Sequence, residues 1–388
     1  MLSLSGLAGG VWGALFIAGA FLFVLSIVVF IHELGHFLVA RWCGVKVSAF
    51  SMGFGPEICS FDDRHGTRWR LAWIPLGGYV KFMDDENGAS VPNHETIANM
   101  TPEQRAGSFH AKPLWQRAAV VAAGPVANFI LAIFIFAAVY SYYGQRITEP
   151  RIGEVMAGTP AMSAGFKPGD LIVSINGRPI GSFNEIQRQV SAQPDSTLAI
   201  VISRTGAPMT INVTPRLEEM PDGVGGKYRR GIIGIRPVAG GAASEVRRTG
   251  VVEGIGLGFK ETGFIITSTL QYMGKLLVGK ESADQLGGPV RIAEVSGQVA
   301  KIGLEPLLQL VAVISVSVGL LNLFPIPLLD GGHLMFYAIE AIRRRPMSER
   351  SQEIGFKIGL ALVLSLMVFA FWNDRFILLR WLTGGAIG

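Results

Sequence analysis

The stretch FIHELGHFLVA, residues 30–40, places two histidines and a glutamate at the end of a long apolar run. The segment from Val11 to Ile31 contains no charged residue over 21 positions. A helix needs about 20 residues to cross the hydrocarbon layer of a bilayer, so this segment is long enough to span it. Ionisable side chains are costly at that depth, and we therefore take His32, Glu33 and His36 as candidate functional residues.

The composition favours a membrane protein, because only 16% of the 388 residues are charged and 49% are hydrophobic, whereas soluble domains average about 25% charged residues. Three further apolar segments follow, at Ala118–Gly144, Pro306–Leu329 and Ile358–Asn373. The last has only 16 residues and would need a tilt or a local adaptation of the bilayer to span it. We predict a multi-pass α-helical membrane protein with about four transmembrane helices.

The basic residues set the predicted orientation. A short basic loop precedes the fourth span and should stay in the cytoplasm; it contains Arg343, Arg344, Arg345, Arg350 and Lys357. Both termini and the long stretch Gln145–Glu305 then lie outside, and HELGH lies near the cytoplasmic side. The net charge of +5 is scattered, with no nucleic-acid-binding module, so we predict contact with the lipid bilayer and no nucleic acid partner.

The spacing of the two histidines suits a metal ion. His32 and His36 are four residues apart, so one face of a helix presents both imidazoles. Glu33 can then take a proton from a water at that ion without being a ligand. The alternative is that these residues only mark the membrane interface. Their position on an apolar helix favours the metal site.

A third ligand is available in GLLNLFPIPLLDGGHL, residues 319–334. Asp330 offers a carboxylate at the same predicted membrane depth as the histidines. Pro325 and Pro327 interrupt helical hydrogen bonding, which inside a membrane is tolerated only beside protein or a water-filled cavity. The alternative is a kinked structural helix with Asp330 at a turn. His333 as a fourth ligand would close the site, so we expect a structural role for it. Imidazole and carboxylate ligands favour Zn²⁺ without excluding iron or cobalt.

HELGH together with NLFPIPLLDGG resembles the site-2 protease family of intramembrane zinc metalloproteases, most closely its bacterial regulator of sigma-E protease branch. Four further segments are similar to that branch: FGPEI (54–58), IPLGGYVKF (74–82), GPVANFILAIFIF (124–136) and LGGPVRIAE (286–294). The resemblance implies cleavage of peptide bonds inside transmembrane segments. It also implies His32, His36 and Asp330 as zinc ligands and Glu33 as the general base.

The same resemblance suggests substrates and a location. Asn322 resembles the substrate-handling asparagine of the family, and we assign substrate binding to Asn322, Pro325 and Pro327. The implied substrates are single-span membrane proteins already trimmed on the outer side, such as anti-sigma factors, and possible further substrates are remnant signal peptides. The implied location is the bacterial inner membrane.

Residues 45–82 contain three short strand-like runs, VKVSAFSMGF, RWRLAWI and GGYVKF, with DDRHG as a hairpin turn. An exposed strand edge could pair with an unwound substrate by strand addition. A purely structural sheet at the membrane surface is the alternative.

The external stretch contains a further domain. From Pro150 to Arg216, strand-like runs alternate with turns, and Asn176–Gly177 predicts a hairpin turn. This stretch resembles a circularly permuted bacterial PDZ domain, which binds extended peptides or chain ends. We find one copy, with RRGIIGIRP (229–237) as a remnant or a closing strand. Residues 251–280 predict an interfacial amphipathic helix, since charges interrupt any span.

The predicted organisation follows the chain. It comprises a first transmembrane helix with the zinc motif (1–41), a cytoplasm-facing membrane-associated β region (42–117), a second transmembrane helix (118–144), a periplasmic PDZ domain (148–217), a connector (218–304), a third transmembrane helix (305–342), a basic cytoplasmic loop (343–357) and a fourth transmembrane helix (358–379).

Two functions of other classes use the same features. The protein could be a PDZ-bearing membrane scaffold with a structural metal site, or a metal transporter that uses His32, His36 and Asp330 in transit. Neither needs Glu33 beside the metal, and a transporter would show repeated halves. Asn128 faces either the cavity or a neighbouring helix.

Overall fold

A computed structural model describes residues 4–84, 100–221, 227–238, 244–279, 283, 287–375 and 377. The chain divides into two compact units, one formed by Met1–Ala137, Ile255–Gly274 and Leu286–Gly388 and the other by Ala138–Gly254 and Lys275–Gln285. The described helices are α1 (Leu4–Trp42), α2 (Pro102–Gly107), α3 (Leu114–Tyr142), α4 (Pro160–Ala164), α5 (Phe183–Ala192), α6 (Val251–Leu277), α7 (Pro289–Ile302), α8 (Leu304–Asn322), α9 (Asp330–Arg343) and α10 (Glu349–Asn373).

The described strands form small antiparallel sheets. They are β1 (Val47–Asp62), β2 (Arg68–Phe82), β3 (Gln145–Thr148), β4 (Ile152–Val155), β5 (Leu171–Ile175), β6 (Arg178–Pro179), β7 (Leu198–Arg204), β8 (Ala207–Val213), β9 (Arg216–Pro221), β10 (Lys227–Ile232), β11 (Ile235–Pro237) and β12 (Ser244–Arg247).

Four of the described helices are long and apolar enough to cross a membrane, as the sequence predicts. They contain the segments Trp12–Trp42, Leu114–Tyr142, Leu304–Asn322 and Arg350–Asn373. The last has 24 residues and is therefore longer than the predicted charge-free segment of 16. Its first turns include charged side chains such as Lys357, and with them the helix is long enough to cross a bilayer without the adaptation expected from the sequence.

The third apolar segment is divided into two helices. α8 ends at Asn322 and α9 begins at Asp330. Pro325 and Pro327 lie in the non-helical stretch between them, where the predicted interruption falls. Proline donates no backbone hydrogen bond, so this stretch cannot continue the helix.

The strands expected within residues 45–82 are present as two long irregular strands, β1 and β2. Phe50 of β1 pairs with both Trp69 and Val80 of β2, so the first half of β1 lies in the middle of the sheet. Phe50 also contacts Phe37 of α1, with ring centroids 5.6 Å apart. The sheet is thus packed on the helix that carries HELGH.

The end of α10 is tied to the start of α7. The Asp374 carboxylate accepts hydrogen bonds from the backbone N–H groups of Gly288, Val290 and Arg291, at 3.0, 3.0 and 3.1 Å. Asp374 is only 1% exposed. Its carboxylate satisfies N–H groups that a helix leaves unpaired at its N-terminus.

The second unit contains a four-stranded sheet in the order β6–β5–β7–β8, together with the helix α5. β11 pairs with β4, and Ile233 belongs to the core of this unit, so residues 229–237 contribute a closing strand. The unit is therefore larger than the predicted range 148–217. An ion pair between Asp170 and Arg204, at 2.7 Å, connects two of its elements.

Candidate metal centre

The two histidines of HELGH lie on consecutive turns of α1 and converge on one point. The Nε2 atoms of His32 and His36 are 3.3 Å apart. This convergence follows from the helical repeat, which places residues four apart on the same face.

Asp330 lies at the same point, although it comes from the start of α9. Its Oδ2 atom is 3.2 Å from His32 Nε2, and its Oδ1 atom is 3.6 Å from His36 Nε2. One nitrogen or oxygen atom from each of the three residues lies within 4.8 Å of the others. The three residues that the sequence assigns to zinc are therefore brought together.

The backbone before Asp330 is unusually constrained. Gly331 and Gly332 lie directly against the backbone of residues 323–327, where a side-chain carbon would not fit. Leu328 has a φ of 111°, which is rare for a residue other than glycine and costs about 1 kcal/mol or more. The carboxylate is thus presented by a tight, strained turn.

The protonation of His36 is fixed by a backbone group. Its Nδ1 atom lies 2.9 Å from the carbonyl oxygen of Val120 in α3. A carbonyl only accepts hydrogen bonds, so Nδ1 carries the proton, and in the neutral ring Nε2 then keeps a free electron pair. His36 Nε2 is therefore a ready metal ligand.

The residues fit a zinc ion. Among the described residues, the buried Asp330 Oδ2 atom has His32 Nε2 within 3.2 Å but accepts no hydrogen bond of good geometry. A buried carboxylate oxygen of this kind, next to two imidazole nitrogens, is stabilised by a bound cation. Two histidines and one carboxylate are also a ligand set of catalytic zinc sites, which leave a fourth position open.

Glu33 lies beside this centre, between α1 and the sheet. Its carboxylate accepts a hydrogen bond from the backbone N–H of Val80, and its Cγ atom lies against Gly78 of β2. Glu33 is not among the three clustered ligands, so its carboxylate is available as a base.

Of the other predicted site residues, one lies at the metal centre and the others lie outside the ligand cluster. Asn322 is at the centre, with its Nδ2 atom 3.3 Å from His32 Nε2. Pro325 is exposed, and Pro327 packs against Gly355 and Gly359 of α10. His333 has its ring 5.3 Å from that of Phe356 and does not belong to the ligand cluster.

Sequence reasoning left open whether Asn128 of α3 faces the cavity or a neighbouring helix. Asn128 is fully buried, and its amide lies 3.2 Å from His32 Nδ1. Gly124 lies directly against both imidazoles, so α3 can approach α1 closely. The structure places the Asn128 side chain at the metal centre.

Two histidines, a carboxylate and a neighbouring glutamate, on helices apolar and long enough to cross a membrane, are the features of a metalloprotease site. The sequence model of peptidase family M50 matches residues 20–366. This chain belongs to peptidase family M50, the site-2 protease family, and is a zinc metalloprotease.

Curated relatives carry corresponding names. A protein of Rhizobium meliloti (strain 1021) that bears the name "Putative zinc metalloprotease" is 48% identical over 364 residues, which cover 94% of this chain and 96% of the relative. A protein of Agrobacterium fabrum (strain C58 / ATCC 33970) with the same kind of name is 49% identical over 356 residues, covering 91% of this chain and 94% of the relative. Metalloprotease MmpA of Caulobacter vibrioides is 42% identical over 384 residues, covering 93% and 96%.

Proposed function

We propose that this protein hydrolyses peptide bonds within the transmembrane segments of single-span membrane proteins. The observation that carries the proposal is the position of the site on a candidate span. His32, Glu33 and His36 lie within Trp12–Trp42. His36 precedes the end of that helix by six residues, or about 9 Å along the axis. A peptide bond has to enter the membrane region to reach them.

The chain supplies the acid–base chemistry. When bound, zinc would polarise the scissile carbonyl and make a water more acidic. Glu33 accepts the proton of the attacking water and returns it to the leaving amine. The Asn322 amide, 3.3 Å from His32 Nε2, can hold the substrate carbonyl or the charge that develops on it.

The sheet supports presentation of an extended substrate. A transmembrane helix shields its own peptide bonds, so the substrate must unwind before cleavage. Residues 77–82 of β2 pass beside Glu33 and pair with β1. We propose that the substrate adds as a further strand beside them. The non-helical stretch with Pro325 and Pro327 then borders the unwound segment.

The second unit is proposed to be a single PDZ domain on the periplasmic side. Its groove of about 440 Å³ lies between α5 and the segment that ends in β11. Ile186, Val190 and Ile235 supply apolar lining, and Arg236 supplies charge. Such a groove suits an extended peptide or a chain end.

The proposed setting is regulated intramembrane proteolysis in the bacterial inner membrane, with the active site near the cytoplasmic side. Suitable substrates are anti-sigma factors that have already been trimmed outside, and remnant signal peptides. Both present a single span with little mass on the outer side. The basic residues Arg343, Arg344 and Arg345 support a cytoplasmic position for the neighbouring loop.

The test compares the wild-type protein with Glu33→Gln at equal membrane levels, using a single-span reporter without its outer domain. We expect both proteins to bind zinc and only the wild type to cut, with the cut inside the span. Zinc content is measured on both, and the cleavage position is measured by mass spectrometry. Zinc binding without cleavage of several such reporters by the wild type would favour the scaffold function instead.

A further inference from the structure

α10, the last helix that the structure describes, contributes none of the three clustered ligands, yet it packs against the segment that presents one. Gly359 of α10 lies directly against the backbone of Pro327, three residues before Asp330. A side-chain carbon at residue 359 would overlap the carbonyl group of Pro327. Because the obstructing atoms belong to the backbone, no change of rotamer at Pro327 can make room.

The segment that Gly359 contacts, residues 327–330, needs stabilising contacts from other parts of the protein. Leu328 adopts its rare positive φ between Pro327 and Asp330. A strained backbone persists only where surrounding contacts determine it. The internal contacts of this segment include a hydrogen bond from the Leu329 N–H to the Ile326 carbonyl, at 3.0 Å. Gly359 supplies a contact from a separate helix.

The helix that supplies this contact is itself fixed at its far end. Asp374 holds the first N–H groups of α7, and Gly297 of α7 packs against Ile17 of α1. α1 carries His32 and His36. A chain of direct contacts therefore runs from the helix with the histidine ligands, through α7 and α10, to the segment with the carboxylate ligand.

We propose that Gly359 is a positioning residue for Asp330. By allowing α10 to press on the Pro327 backbone, it keeps the Asp330 carboxylate within reach of His32 and His36. This inference rests on the zinc site of the proposed function. A larger residue at 359 displaces the segment and opens the three-ligand cluster, although no ligand is changed.

The experiment compares three single substitutions in the full-length protein, which differ in how closely the added atoms approach the Pro327 segment. Gly359→Ala places a carbon against backbone. Gly355→Ala places one 2.9 Å from the outer edge of the Phe336 ring and 3.7 Å from Pro327 Cβ, where side chains can adjust. Ala361→Val adds bulk at an exposed position of the same helix and serves as the matched control.

Zinc affinity is measured on each purified protein by competition with a chromophoric chelator. We expect Gly359→Ala to weaken zinc binding by about 10-fold or more, as loss of supporting contacts around metal ligands does. Gly355→Ala should weaken it less, and Ala361→Val should leave it unchanged. The visible spectrum of the cobalt-loaded proteins should change in the same order, because it reports coordination geometry.

The outcomes separate this inference from the protease function. A wild-type protein that binds zinc, with Gly359→Ala within twofold of it, would overturn the positioning role and leave the protease function standing. A wild-type protein without zinc would overturn both. If Gly359→Ala does not accumulate in membranes, the test uses Gly355→Ala instead. A zinc affinity of Gly355→Ala equal to that of the wild type would then overturn the proposal.

Discussion

Gly78 of β2 lies directly against Glu33 of α1. A side-chain carbon at residue 78 would lie 2.9 Å from Glu33 Cγ and 2.8 Å from the carbonyl oxygen of Ser51. The Val80 N–H donates a hydrogen bond to the same Glu33 carboxylate. The sheet thereby sets the direction of the glutamate next to the zinc ligands.

Gly78→Ala should lower kcat by about 10-fold to 100-fold while zinc binding persists. The added carbon meets backbone on one side and Glu33 on the other, and a shift of about 1 Å in a catalytic group has an effect of this size. Reporter cleavage and zinc content are measured on the same samples. Tyr79→Phe, which only removes a neighbouring hydroxyl, is the control; equal activity of all three proteins would contradict the prediction.

Asn128→Leu should weaken zinc binding by about 10-fold to 100-fold, whereas Asn128→Asp should retain it. Zinc takes the free electron pair of His32 Nε2, so Nδ1 carries a proton that needs an acceptor. The Asn128 amide, 3.2 Å from Nδ1, provides one when its oxygen faces the ring. Chelator competition measures the affinities. Ser315→Ala removes only the hydrogen bond to the Asn128 backbone oxygen and should have no effect.

The second unit should lose stability in acid through Asp170. Burial opposes ionisation of this carboxyl group, but hydrogen bonds from Arg204 and the Lys167 N–H outweigh it and hold the pKa of Asp170 below its usual value. The pKa of Asp170 is thus lower in the folded protein than in the unfolded chain. Its contribution to the free energy of unfolding is therefore complete above the usual pKa of about 3.9 and is lost as the pH falls below that value.

Amide hydrogen exchange of β5 and β7 in the full-length protein measures this effect. After correction for intrinsic exchange rates, protection in the wild type should fall as the pH is lowered through 4. Asp170→Asn should show weaker protection at neutral pH and a smaller pH dependence. Glu154→Gln alters an exposed pair with Arg236 and should behave as the wild type. A wild-type response in Asp170→Asn would refute the assignment.

Arg117 and Glu340 should stabilise the packing of α9 on α3. Their side chains form two hydrogen bonds, at 2.6 and 3.3 Å, and are mostly buried. Glu340→Gln should lower the free energy of unfolding by about 2 kcal/mol, since it leaves a largely buried charge unpaired.

Thermal unfolding in detergent micelles provides the measurement. The exchanged pair Arg117→Glu with Glu340→Arg should recover part of the loss in midpoint. Glu353→Gln disrupts the exposed pair with Lys357 and should leave the unfolding midpoint unchanged. If Glu340→Gln and Glu353→Gln had the same small effect, the buried pair would have no special role.

The metal centre could be predicted from the sequence because its signals are local. His32, Glu33 and His36 share one helix, so spacing alone fixes their arrangement. Asp330 follows two prolines that interrupt an apolar segment, which places a carboxylate at a break inside the membrane region. The limited set of membrane depths then restricts where the two segments can meet.

The supporting contacts could not be predicted in this way. His36 is oriented by the carbonyl of Val120, and Glu33 by the N–H of Val80. Every residue except proline carries these backbone groups, so no residue type marks them. Gly78 and Gly359 are important because they have no side-chain carbon, which allows close contact with neighbouring atoms. Their neighbours are distant in sequence, and a single chain gives no pattern for such pairs.

The ends of helices and the shortest strands also could not be predicted accurately from the sequence. A charge-free run underestimates a helix whose ends face water, and α10 begins before Ile358 for that reason. Similarly, β11 has only three residues and pairs with a strand far earlier in the chain. Neither its length nor its composition distinguishes it from a loop.

The capping of α7 by Asp374 has a consequence for biosynthesis. Gly288 and Asp374 are 86 residues apart, and a ribosome completes α7 long before it adds the residue that caps it. A nascent chain ending at Arg343 already contains His32, His36 and Asp330, but it lacks both the cap and the contact of Gly359 with Pro327. α10 is therefore needed to complete the metal centre after all three ligands have been synthesised, although none of the ligands belongs to it.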